Sequence, residues 1–176
     1  AARMHPNNEQ GATNMDGERV LAAAEFFRLT GDEKWHGIYQ TESRFRNANA
    51  VYNGHKTNSG IYDPQDEAGW VYMNTDRPGM NETIKANFKK ALLAHADARL
   101  ADIDDTGFRW VATKGKIISY SASVIPDAVA LVRAHYLTKD EKYLRGIVLA
   151  TQHGAGANPL NLCYTTGVGI NYQQRM

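Results

Sequence analysis

A short pattern, Leu-Thr-x-Asp-Glu-Lys-aromatic, occurs twice in this chain, at residues 29–35 and 137–143, with the two leucines 108 residues apart. Both copies sit where one apolar helical stretch ends and another begins. In the first, Gly31 can take the left-handed backbone that ends a helix, and Asp32 can cap the next one. In the second, Asp140 holds the same capping place. Two such junctions, with a further helix pair between them, predict stacked αα-hairpins. The spacing does not fit the ~34-residue period of a tetratricopeptide array, which makes that interaction module the weaker reading. No stretch shows the period-two alternation of a strand. The fold class expected is all-α.

The first helix is expected over residues 16–30. Asp16 is its N-cap, Glu18 complements its positive end, and Val20, Leu21, Ala22, Ala23, Ala24, Phe26, Phe27 and Leu29 spread around most of its circumference. A helix apolar all round is buried on more than one side. The second helix is expected over 32–46. Residues 47–66, with Asn, Gly and Pro throughout, read as loop. A short helix follows near 67–74, a turn at 76–79, and a long helix over 81–103, where Ile84, Phe88, Ala91, Leu92, His95 and Ala98 share one face. After an irregular stretch at 104–119, a helix begins near Ser121 or Ser123 and runs to 137, with Pro126 tolerated in its first turn. The last helix spans 140–152, and 153–176 is a tail rich in Gly, Asn and Tyr. The helices near 16–30 and 121–137 are expected to be the most buried.

Composition narrows the function classes. The 176 residues suit one domain, are 43% hydrophobic and 22% charged, and carry a formal net charge of +1. That balance argues against disorder and against a dedicated nucleic-acid binder, which needs a basic excess to neutralise phosphates. The longest apolar candidate, 124–132, contains Pro126 and Asp127, so no membrane span is expected. Cys163 is the sole cysteine and can form neither an internal disulfide nor a Cys/His zinc cluster. The first residues lack the apolar core of a signal peptide, so either the protein is cytoplasmic or a leader lies upstream.

Residues 156–169 read Gly-Ala-Asn-Pro-Leu-Asn-Leu-Cys-Tyr-Thr-Thr-Gly-Val-Gly. This segment resembles a signature of glycoside hydrolase family 9, approximately G-x-N-P-x-x-x-S-Y-V-T-G-x-G. Asn158, Pro159, Tyr164, Thr166, Gly167 and Gly169 match it, and Cys163 stands in place of the usual Ser. The stretch 137–143 looks like the family's LTGDEKY turn, and 18–32 resembles its helix ending in T-G-D. The three matches fall in family order. The resemblance implies αα-hairpins of an (α/α)6 toroid, about half of it, with residues 1–176 forming a single partial catalytic domain. It implies hydrolysis of β-1,4-linked glucan or a related β-glycoside with inversion, which needs two carboxyl groups roughly 6.5–9.5 Å apart. The family's Asp-x-x-Asp base motif, its late Glu acid and the His after the tail have no counterparts in this sequence, so the catalytic residues stay unknown. The expectation is a secreted or periplasmic protein and a chain inactive alone by the family mechanism. The alternative is a non-catalytic carbohydrate-binding or scaffold remnant.

Several residues invite a functional reading beside a plainer one. Lys114 falls where the family often has a sugar-stacking Trp; it could face an anionic or hydroxyl-rich subsite, or be a solvated loop lysine. Tyr120 corresponds to a sugar-contacting Tyr, or is a buried tyrosine at a helix start. Asp102, Asp104 and Asp105 form the densest carboxylate cluster, read either as an acid/base pair or, preferably, as a solvated loop. Asp16 and Glu18 sit where some family members bind a structural calcium; Gly17 replaces one expected ligand, and helix capping is the simpler role. The histidines at 5, 36, 55, 95, 135 and 153 show no metal-ligand spacing and read as surface or partly buried residues. The Gly-x-Gly pairs at 154–156 and 167–169 lack the strand, helix and Lys of a phosphate loop. Cys163 reads as a small buried hydrophobe. Partners expected are a β-glucan or related oligosaccharide, with no nucleic acid or membrane, and self-association or association with other segments of a parent polypeptide.

Overall fold

The structure is a computed structural model that describes residues 9–56, 61–109, 128–165 and 167–172. Six helices account for nearly all of its regular structure: α1 (Glu9–Thr30), α2 (Glu33–Glu42), α3 (Pro64–Met73), α4 (Glu82–Asp105), α5 (Val129–Thr138) and α6 (Glu141–Gly154). Two-residue strands, β1 (His55–Lys56) and β2 (Ile61–Tyr62), pair within the stretch read as loop. The all-α expectation holds. The contacts group into two compact units, one of residues 1–53 and 62–91, the other of 54–61 and 92–176.

The repeated pattern folds the same way both times. Thr30 Oγ1 donates to the Phe26 carbonyl at 2.7 Å, and Thr138 Oγ1 to that of Ala134 at 2.8 Å. The same hydroxyls accept from the Asp32 and Asp140 amides, at 3.1 and 3.2 Å. Asp32 and Asp140 then cap α2 and α6, accepting from the amides of Lys34 and Lys142, both at 2.9 Å. Even the ring contacts repeat, with Lys34 over Trp35 and Lys142 over Tyr143. One difference separates the copies. The left-handed position is Gly31 in the first (φ 72°) and Lys139 in the second (φ 59°). A side chain there costs roughly 1 kcal/mol that glycine avoids. Lys139→Gly is therefore expected to stabilise the protein by about 0.5 kcal/mol, the loss of the Lys139–Tyr136 ring contact and the freer unfolded chain taking back the remainder. Urea unfolding of the variant checks this.

In the first unit, α1 packs on α2 and α3. Phe27, His36, Tyr39 and Tyr72 stack face to face in its core, with centroids 4.2 Å apart for Phe27–His36 and 4.1 Å for Tyr39–Tyr72. The Tyr72 hydroxyl accepts from the Asn81 amide and is 2.8 Å from His36 Nε2. His36 Nε2 is also 2.8 Å from Gln40 Nε2, and its Nδ1 is 3.3 Å from Glu33 Oε2. Arg77 closes the far end of α1, its guanidinium donating to the Arg28 and Leu29 carbonyls that the helix end leaves open. In the second unit α5 and α6 form the other hairpin, and Gly146 lets the Leu100 side chain and Leu131 press against α6.

Several boundaries differ from expectation. α1 starts at Glu9, so Asp16 lies inside the helix rather than capping it; Glu9, Gln10 and Ala12 are helix-compatible and nothing before Asp16 breaks the helix. α1 is also not buried all round: Val20, Ala23, Ala24 and Phe27 are buried, but Phe26 is 46% and Leu29 61% exposed. α2 stops at Glu42 because Ser43 turns the chain into a 3-10 turn, its hydroxyl accepting from the Phe45 amide. α3 starts three residues early, with Asp63 as its N-cap and Pro64 in the first turn. α4 runs on through Asp104 and Asp105, which the sequence reading placed in an irregular stretch. α5 is buried through Ala130, Leu131 and Ala134, while Val132 and Tyr136 are exposed. Ser121, Ser123 and Pro126 lie outside the described residues.

Candidate functional site

The tail that carries the recognised motif is not an unordered appendage. It folds back on the end of α6 around one side chain, that of Asn158, which is 4% exposed. Its Nδ2 donates to the carbonyls of His153 at 2.7 Å and Leu162 at 2.8 Å. Its Oδ1 accepts from the amides of Leu160 at 3.1 Å and Leu162 at 3.3 Å. An amide has two donor protons and an oxygen with two lone pairs, and all four are used. An asparagine is thus the residue type this loop requires.

Further bonds complete the loop. The Tyr164 amide donates to the Gly154 carbonyl, the Cys163 amide to that of Asn171, and Asn171 Nδ2 to that of Asn161. Cys163 and Tyr172 form a parallel bridge. Gly156 has φ 124° and Gly169 φ 79°, backbone that L side chains rarely adopt. Cys163 is a buried free thiol, as expected of a small hydrophobe in the serine's place. What the loop offers outward is Leu160, Val168 and Ile170, all exposed, and a half-buried Tyr164 whose ring tilts over His153. Thr166 lies outside the described residues.

His153 ends α6 and is buried, contrary to a surface reading. Burial pushes its imidazole below the ordinary value, against a smaller opposing pull from a hydrogen bond with the Phe108 backbone. The folded state thus favours the neutral ring while the unfolded chain protonates near 6.5. This contribution to stability is complete above about pH 6.5 and is lost as pH falls from there towards the depressed value. Melting curves between about pH 8 and 5.5 are expected to show a steeper decline for the native chain than for His153→Gln. His36 is likewise buried, whereas His95 and His135 are half-buried as anticipated. His5 lies outside the described residues.

The Asp102, Asp104 and Asp105 cluster is helical rather than the solvated loop expected of it. All three belong to the last turn of α4, where the helix dipole disfavours negative charge, and arginines answer two of them. Arg99 meets Asp102 at 2.8 Å, while Arg145 and Arg109 meet Asp104 at 3.2 and 3.5 Å. Asp105 is exposed. Lys114 and Tyr120, the two residues matched to substrate contacts, lie outside the described residues.

A different acidic group was missed by the sequence reading. Asp63 and Asp66, 7% and 1% exposed, share the Arg44 guanidinium, whose Nη2 is 2.5 Å from Asp63 Oδ1 and 3.2 Å from Asp66 Oδ1. Burial opposes the charged form of Asp63, but hydrogen bonds from Arg44, Asn53 and the Gln65 amide and the nearby guanidinium charge together outweigh it. They bring the carboxyl down to about 2. The one signal available was Asp63-Pro64, a cap followed by a first-turn proline, hidden in a polar stretch.

The side chain of Asp16, one of the two residues aligned with a structural calcium, lies outside the described residues. Glu18 is exposed, and Gly17 lies against Pro64, where an added Cβ would be 3.2 Å from the proline Cβ. Among the described residues no three His, Cys, Asp or Glu side chains converge as a cation site.

Comparison with known proteins bears on the same loop and helices. No protein-family model matches the chain. Over 155 residues, 88% of its length, it is 25% identical to Endoglucanase D of Acetivibrio thermocellus, and it spans 24% of that protein. A Bacteroides ovatus GH9 structure superposes with a TM-score of 0.72 at 21% identity, covering 89% of this chain and 28% of the other. The chain resembles part of a family 9 glycoside hydrolase. A metagenome-derived family 9 endoglucanase gives a TM-score of 0.71 at 21% identity, again over 89% of this chain and 27% of its own. The hairpins are thus those of the family 9 (α/α)6 toroid, and the chain spans about a quarter of the proteins it matches. No helix among the described residues is long and apolar enough to cross a membrane.

Proposed function

We propose that this chain is a segment of a secreted or periplasmic glycoside hydrolase that cleaves β-1,4-linked glucan or a related β-glycoside with inversion. The observation that carries the reading is the Asn158-centred loop on α6, which presents the family motif on a helix pair of family 9 form. In this reading the segment supplies scaffold and part of the sugar-facing rim, Lys114 and Tyr120 included. The acid and base come from parts of the domain without counterparts here. General acid–base catalysis contributes typically 10²–10⁴-fold per positioned group, so the chain alone is expected to release no sugar from soluble β-glucan. Affinity electrophoresis tests the rest. Retardation by β-1,4-glucan but not by an α-glucan supports the substrate class, and equal mobility in both gels overturns it.

A non-catalytic carbohydrate-binding or scaffold role is the second reading, favoured by the arginine pairing of Asp102 and Asp104. A longer polypeptide containing this chain that hydrolyses β-glucan would remove it. Exposed Leu144 and Val148, one turn apart on α6, further suit self-association or contact with other segments of a parent polypeptide. A monodisperse 19.6 kDa monomer in light scattering would count against that association.

A further inference from the structure

We propose that the Arg44 guanidinium serves in this chain as a built-in structural cation, so that its first unit folds independently of calcium. The family resemblance would put a metal at Asp16 and Glu18, on either side of Gly17 in α1. A Cβ added to Gly17 would lie 3.2 Å from that of Pro64, the first residue of α3, and beside Pro64 stand the buried carboxylates of Asp63 and Asp66. Two buried carboxylates so close in sequence and space need positive charge; otherwise desolvation and mutual repulsion drive them to take up protons.

Here that charge is covalently part of the protein. Arg44 Nη2 reaches both carboxylates, and the residue is held in position by its own backbone, whose amide donates to Gln65 Oε1 at 3.0 Å. The remaining oxygens are engaged by donors from the same neighbourhood. Asn53 Nδ2 donates to Asp63 Oδ2 at 2.6 Å, the Asn53 amide to Asp66 Oδ2 at 2.9 Å, and the Gln65 amide to Asp63 Oδ1 at 3.0 Å. This arrangement ties three segments together: the 3-10 turn of Arg44–Arg46, the chain at Asn53 and the start of α3. A calcium ion would recruit six to eight oxygens for the same task. The carboxylates here meet N–H groups instead, and a guanidinium stays charged at every accessible pH and cannot be chelated away.

Thermal unfolding of the purified chain tests the idea. The melting temperature is expected to be the same in excess EDTA and in millimolar calcium. Arg44→Gln keeps polarity but removes the charge, and should lower the melting temperature by about 10 °C, the scale for breaking one side of a buried ion pair. Adding Asp66→Asn to that variant removes one of the two like charges and should recover part of the loss, or restore folding if Arg44→Gln alone does not fold. Three results would each overturn the proposal. These are a native melting temperature that falls on chelation, an Arg44→Gln variant as stable as the native chain, and a double variant no better than the single one.

Discussion

Replacing Gly69 with alanine is expected to lower the melting temperature by about 5–10 °C, the equivalent of roughly 2–3 kcal/mol. An added Cβ would run into the Phe88 ring, 2.6 Å from its Cε2, and lie 2.8 Å from Phe45 Cε2. Both rings are fully buried and meet edge to face at 5.0 Å, so neither can swing into solvent. Alanine favours a helix by about 1 kcal/mol over glycine, and the overpacking exceeds that gain. Gly146 gives a useful contrast. There the clash is with the tip of Leu100, a flexible and half-buried side chain that can turn aside. Differential scanning calorimetry of both alanine variants should show the larger loss at Gly69. Combining Gly69→Ala with Phe88→Leu should recover part of it, because the two changes share one space.

Asn158→Ala is expected to release the loop from the end of α6 at a local cost of about 2–4 kcal/mol. Each hydrogen bond is worth roughly 0.5–1.5 kcal/mol net, and the alanine leaves four backbone groups without their side-chain partner. The loss falls on the loop more than on the helices, so hydrogen exchange is the measurement that resolves it. The Leu162 amide should exchange at least tenfold faster, while amides in the middle of α1 stay unchanged. Equal protection in the native chain and the variant would mean that the loop is held by its glycines and its Cys163–Tyr172 bridge instead.

The sequence was most legible where the structure is most local. The Thr-x-Asp-Glu-Lys junctions could be read directly because every group they use lies within a few residues, whereas Asn158 was legible only as one position of a motif, its bonding role emerging from the fold. Legibility failed where partners are distant. Asp63 and Asp66 look like loop acids until Arg44, about twenty residues earlier, is placed between them. Asp16 passed for a cap because its side-chain type suits one, yet nothing in the preceding residues stops the helix from continuing. Phe26 and Leu29 looked like core, but packing by α2 and α3 covers only one side of α1. The Asp102–Asp105 cluster was read as a loop because composition registers acids and not the helix they end or the arginines that answer them.

The two junctions bear on the order in which the protein assembles. In each, the threonine hydroxyl and the aspartate cap find their partners between residues 26 and 34 or between 134 and 142. Closing so short a loop takes on the order of 10–100 ns and costs little chain entropy, whereas joining Arg77 to the end of α1 spans almost fifty residues. The hairpins are therefore the low-contact-order events, formed and dissolved many times before any long-range contact is made. Substitutions at Thr30, Asp32, Thr138 or Asp140 should slow refolding, while those at Arg77 should mainly speed unfolding.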